Sequence, residues 1–278
     1  MPLLNDIITE AKNQLRKFER ITFYEEPHIY TYREDDGSET QIGISVTTLV
    51  GKYEQPFDEN DMAQKYAKKH KKSKEEVLKK WHFDRDFSCC KGTHTHAYNE
   101  YLWRFNGAKL YDYDKDAVIN EFGSDIVAPV WERLKSICTK FYEEFKDRII
   151  PVGLEQIVAS KYYDISGAID FLAYSCKLKE FIIIDYKTNK EIKKEAFNNQ
   201  TMLAPLTYIP DCNYYYYSLQ LAIYKYLLEY ETTLKISSRK WLVWMNEKND
   251  DYIIYECANL DNEAQIILEE RRRELCPF

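Results

Sequence analysis

The sequence predicts an α/β fold: a mixed central sheet flanked by helices, preceded by an N-terminal β-hairpin and helical extension. Three observations carry that expectation. Leu154–Lys161, Ile165–Tyr174 and Glu180–Lys187 read as strands at short spacing joined by polar turns, and Phe181-Ile182-Ile183-Ile184 is apolar on both faces, as a covered central strand must be. A Tyr-rich stretch with helical periodicity, about Tyr215 to Tyr230, follows them. A second β unit, Lys240–Met245 and Tyr252–Tyr255 around a turn at Asn246–Asp250, then leads to a last helix from Asp261.

Upstream, residues 3–19 place Leu4, Ile7, Ile8, Ala11, Leu15 and Phe18 at helical spacing. Period-two patterning takes over at Ile21-Thr22-Phe23, His28–Tyr32 and Gln41–Val46, with a polar turn at Asp35-Asp36-Gly37-Ser38. The hydroxyl run Ser45-Val46-Thr47-Thr48 closes a strand and caps a helix. Residues 58–82 read as one or two charged helices with Ser73 as a cap between them, and Thr93–Phe105 as a separate helix after Gly92. A long helix within Ala117–Lys146 is interrupted, or begun anew, near Pro129. The expected division is an extension over residues 1–91 and a core over residues 92–278.

Composition narrows the function. Of 278 residues, 45% are hydrophobic and 31% charged, the balance of a globular chain large enough for one substantial α/β domain. With 8 Gly and 8 Pro, long flexible linkers are not expected. No apolar run approaches the roughly 20 residues that cross a bilayer, and Met1–Arg20 lacks an apolar signal core, so the expected location is cytoplasmic (host cytoplasm for a viral protein). Seven scattered Cys without a Cys-x-x-Cys pair point to reduced thiols and away from a zinc ribbon or iron–sulfur cluster. The net charge of −7 argues against a passive DNA-coating protein. Positive charge is nevertheless concentrated between Lys65 and Lys80, where Lys68, Lys69, Lys71 and Lys72 form its densest part. A solvated helix face and a nucleic-acid contact both account for such a run.

The chemistry centres on Asp170 and Asp185-Tyr186-Lys187. Asp185 and Lys187, two apart on a strand, share a face. Asp170 lies fifteen positions earlier, which suits the partner strand of an antiparallel pair. Two close carboxylates repel unless a cation joins them, and oxygen donors favour Mg²⁺, with Mn²⁺ tolerated. A lysine beside that ion adds charge for an attacking water and for a phosphorane-like transition state. A surface Asp–Lys pair at a strand end is the bland alternative. Its position after a buried apolar strand and opposite a second Asp weakens it.

At these residues the chain resembles the PD-(D/E)XK nuclease superfamily, with its restriction-endonuclease-like core, and within it the RecB-like and phage-type exonucleases. Gly167-x-x-Asp170 resembles the first acidic motif, with Ile169 where the name-giving proline stands, and Asp185-x-Lys187 resembles the second. Gly92-Thr93-x-x-His96 resembles the upstream motif and Gln220-x-x-x-Tyr224 the downstream one. His28-x-Tyr30 and Ser45–Thr48 look like phage exonucleases related to the mitochondrial genome maintenance exonuclease.

The resemblance implies a Mg²⁺-dependent deoxyribonuclease, an exonuclease before an endonuclease, in replication, recombination or repair of viral or cellular DNA. Its implied metal ligands are His96, Asp170, Asp185 and the Tyr186 backbone carbonyl. Glu155, Lys187, Gln220 and Tyr224 complete the catalytic set. Expected DNA contacts are Lys68, Lys69, Lys71, Lys72, Ser45, Thr47 and Thr188. DNA, single-stranded or with free ends, is the expected partner, with room for a recombination or replication protein and no role for a membrane. Two alternatives stay open: a structure-specific or single-strand endonuclease of the same fold, and an inactive DNA-binding recombination scaffold.

Overall fold

The computed structural model describes residues 3–27, 29–107, 118 and 121–276. His28 of the N-terminal pattern and Ala117, the expected start of a helix, lie outside these described residues.

The chain opens with α1 (Leu4–Leu15), whose Ile8, Ala11 and Leu15 are buried, and a 3₁₀ turn to Arg20. A small antiparallel sheet follows: β1 (Ile21–Tyr24), β2 (Ile29–Arg33) and β3 (Glu39–Gln41), in that order. The short β4 (Ile44–Ser45) leads into α2 (Val46–Gly51), and Ser45 Oγ accepts the Thr48 amide at 3.0 Å, the expected cap.

Then come α3 (Glu59–His70) and α4 (Lys74–Arg104). Ser73 and Glu76 form a capping box at the start of α4. The expected break at Gly92 does not occur, and α4 runs through it for 31 residues. A glycine inside a helix costs only about 1 kcal/mol, which the packing of α4 offsets. The division at 91/92 therefore falls within one continuous helix. The helix α5 (Ser124–Phe145) contains Pro129 in its second turn without breaking, since a proline there forfeits one bond near the helix start.

β5 (Ile149–Ser160), β6 (Ile165–Ser175) and β7 (Glu180–Lys187) form the expected three strands. After α6 (Asn213–Glu231), β8 (Trp241–Trp244) and β9 (Ile253–Glu256) make the expected hairpin, and α7 (Asp261–Leu275) ends the order. The sheet is mixed. β7 pairs antiparallel with β6 and parallel with β8, while β4 pairs parallel with β6. Alternation on β7 explains its two-sided apolarity. Ile183 joins a core with α1, α2, α6 and α7, whereas Ile182 and Ile184 join a second core with α4 and α5. Among the described residues, no helix is long and apolar enough to cross a membrane.

Strand pairing also creates an opening. β5 runs along β6 from Ile165 to Ser175, so β4 and β7 share the other edge of β6, at its two ends. β4 reaches Ser166 and β7 reaches back only to the Phe171–Ile184 pair. Residues 167–170 have no strand partner on that edge.

Candidate active site

Asp170 and Asp185 are the first residues past the last β6–β7 pair, and the register sets them opposite one another. The strands part here. The Tyr186 N–H bonds to Asp170 Oδ2 at 2.8 Å, so a side chain takes the role of a cross-strand carbonyl. Lys187 Nζ lies 2.7 Å from Asp185 Oδ2, with Asp185 only 3% exposed. Tyr217 of α6 lies beneath the same ammonium, 4.5 Å from ring centroid to Nζ.

His96 enters from α4, on the opposite face of the sheet. Its Nε2 lies 2.9 Å from the Tyr186 carbonyl, and because a carbonyl only accepts, Nε2 carries the proton. Nδ1 faces Asp170 Oδ2 at 3.4 Å. The Tyr186 carbonyl and His96, both expected as ligands, are thus engaged with each other. Glu155 completes the group from β5, opposite Asp170. It adopts φ 46°, a left-handed conformation costing a non-glycine residue about 1–2 kcal/mol. Ligand atoms of His96, Glu155 and Asp170 lie within 4.8 Å of one another. Two donors on opposite sides of one small divalent ion stand about 4.2 Å apart, so this trio fits a shared ion with slight contraction. Asp185 stands outside the trio, held by Lys187.

The charges respond to this crowding. Burial pushes the Glu155 carboxyl up, reinforced by Asp170, to about 8. Burial also raises Asp185, only partly countered by Lys187. For Asp170 burial acts upward too, but attraction to His96, Lys187 and the Tyr186 amide outweighs it and holds the group below its usual range. Burial works against the His96 imidazolium, yet Asp170 holds its pKa up, at about 9. Lys187 is likewise raised, with Asp185 and Asp170 overcoming its desolvation. Three carboxylates thus face Lys187 and a His96 held protonated, and a cation bound here would take the place of the protons on Glu155 and His96.

Gln220 and Tyr224 pack behind the acidic strands, joined by a 3.2 Å bond from Gln220 Nε2 to the Tyr224 hydroxyl. A Cβ on Gly167 would stand 2.7 Å from Tyr224 Cε1, so the glycine of Gly-x-x-Asp is required by the ring beside it. Tyr217 went unnoticed in the sequence. Its signal was spacing, since Tyr217, Gln220 and Tyr224 fall on one helical face.

The other expected positions disperse. Thr188 is buried, its hydroxyl 3.6 Å from where a Gly92 Cβ would stand. Ser45 spends its hydroxyl on the α2 cap and on contacts of 2.8 Å with the Thr47 and Thr48 hydroxyls. Thr47 is exposed, and its carbonyl accepts from the Tyr216 hydroxyl at 3.0 Å. Lys68, Lys69, Lys71 and Lys72 are all exposed at the tip of the α3–α4 hairpin. Elsewhere on α4, His94 meets Trp131 edge-on and Glu100 pairs with Arg104.

A mixed sheet with opposed aspartates and a lysine two residues on, where two strands part, defines a phosphodiester-hydrolysing class of α/β protein. The chain belongs to the PD-(D/E)XK nuclease superfamily, whose family model matches residues 91–274. Members of this superfamily act on nucleic acid and generally use divalent metal ions. Among solved structures, the chain is similar to SSO0001 at 14% identity and TM-score 0.32, covering 99% of this chain and 87% of that one. It is also similar to a candidate exonuclease from Eubacterium rectale at 13% identity and TM-score 0.32, covering 83% and 70%. No curated protein matches.

Proposed function

We propose that the protein is a metal-dependent DNA exonuclease acting in replication, recombination or repair. The observation that carries the reading is the trio His96, Glu155 and Asp170 beside the Asp185–Lys187 ion pair. The trio would hold Mg²⁺, or Mn²⁺, with Asp185 the adjoining carboxylate. When bound, that ion supplies Lewis-acid polarisation of the phosphate and a more acidic water. Lys187, steered by Asp185 and Tyr217, orients the attacking water and places positive charge where negative charge develops. Asp170 is aimed by the Tyr186 amide, and Gln220 and Tyr224 hold β6 in register. Preference for free ends rests on the resemblance of the motifs around His96 and Gln220 to RecB-like exonucleases. Digestion of linear and covalently closed circular DNA tests it. Linear molecules should shorten progressively while circles persist; rapid cutting of circles would instead favour an endonuclease.

A further inference from the structure

The α3–α4 hairpin is built around a small core of its own, Ala63, Ala67 and Val77, against which Trp81 packs. Its side toward the catalytic strand borders a cleft of about 520 Å³ whose far wall is Lys190. Lys190 follows Lys187 by three residues, so the two backbones are at most about 11 Å apart. A few nucleotides of single strand cover that distance.

The lining has two chemical characters. Tyr66 is 42% exposed, stacks on His70 at 4.1 Å and meets Trp81 edge-on at 5.8 Å between ring centres. Around these rings stand Lys72, Lys80 and Lys190. The two carboxylates of the cleft are already engaged: Glu76 accepts the Ser73 amide at 3.1 Å, and Asp84 pairs with Lys80 at 2.9 Å. Lys72 and Lys190 have no ion-pair partner among the described residues.

Aromatic faces flanked by uncommitted ammonium groups match a nucleotide whose base is free of its own stack. A duplex keeps its base faces stacked within the helix and offers only base edges and backbone. We propose that this cleft holds one unpaired nucleotide of the strand being cut, its base against Tyr66 and Trp81 and its phosphate between Lys72 and Lys190. The proposal rests on the nuclease reading of the adjoining site, and it makes a single-stranded end the preferred substrate.

The test is to walk one abasic nucleotide along an end-labelled single-stranded oligonucleotide and measure affinity by anisotropy in EDTA. At one position the missing base should weaken binding about tenfold. Tyr66→Ala should abolish that positional penalty, and Tyr66→Phe should keep it. A merely destabilised hairpin would lower affinity at every position alike, so the positional pattern separates the two, and unchanged helical circular dichroism checks the fold. No sensitive position, a penalty that survives in Tyr66→Ala, or equal affinity for blunt duplex would overturn the cleft. If those failures came while cutting still required Lys187, the nuclease reading would stand alone. Cutting that ignored Lys187 would instead remove the reading on which the cleft depends.

Discussion

The Asp170 carboxylate accepts the Tyr186 backbone amide at 2.8 Å, joining β6 and β7 just where their ladder ends. The same side chain serves the fold and the chemistry, and the two roles separate by substitution. Asp170→Asn keeps an oxygen for the amide while discarding the charge. It should abolish cleavage and lower the melting temperature only by what the lost charge pairing with His96 contributes. Asp170→Ala loses both and should cost a further 1–3 kcal/mol or so, the scale of a charge-assisted bond. Equal melting temperatures for the two variants would contradict the bridging role.

The metal-free protein should lose stability as pH rises from about 5 to 9, for two reasons of the same sign. Glu155 is raised from 4.5 to about 8, so it opposes folding increasingly as pH climbs through that window. His96 is raised from 6.5 to about 9, so its pairing with Asp170 stabilises fully below 6.5 and fades as pH passes 9. A divalent ion must displace these protons, and its stabilising effect should therefore grow with pH. Thermal melts with Mn²⁺ or EDTA at pH 6 and pH 8.5 measure this. In Glu155→Gln the metal-free melting temperature should rise at the higher pH while the metal-induced increase shrinks. A metal effect independent of pH would be inconsistent with the site.

Two glycines that look alike in sequence should respond oppositely to alanine. At Gly92 the new Cβ meets only Thr188 Oγ1 at 3.6 Å, an ordinary contact, and the helix gains up to about 1 kcal/mol. At Gly167 it meets the Tyr224 ring at 2.7 Å, and the displacement should cost about 1–3 kcal/mol. Chemical denaturation of both variants decides the matter.

These contrasts mark where the sequence was legible. The apolar alternation and turn residues around Phe181–Ile184 are local, and the strand at Glu180–Lys187, the Trp241–Glu256 hairpin and the helix at Asp261 follow from them. The Asp185–Lys187 pair was readable because strand geometry fixes which side chains share a face. Gly92 misled, because the packing that carries α4 through it is remote in sequence. The left-handed backbone of Glu155, the sharing of one β6 edge by β4 and β7, and the bond between His96 and the Tyr186 carbonyl are likewise products of tertiary assembly.

Reversing charge at Lys68, Lys69, Lys71 and Lys72 tests the hairpin tip as a phosphate-binding surface. Binding should weaken for all DNA sequences alike. The slope of log affinity against log salt should flatten by about 0.7–0.9 for each phosphate that is no longer neutralised. An unchanged slope would return these lysines to the role of a solvated face.

The central claim is that metal and Lys187 act together on a phosphodiester at this site. Its most direct test is single-turnover digestion of end-labelled single-stranded DNA by the intact protein and by Lys187→Ala, each with Mg²⁺ or EDTA. The intact protein should cut only with Mg²⁺, and Lys187→Ala should be slower by roughly a hundredfold or more. Cleavage that survives both EDTA and the loss of Lys187 would contradict the account.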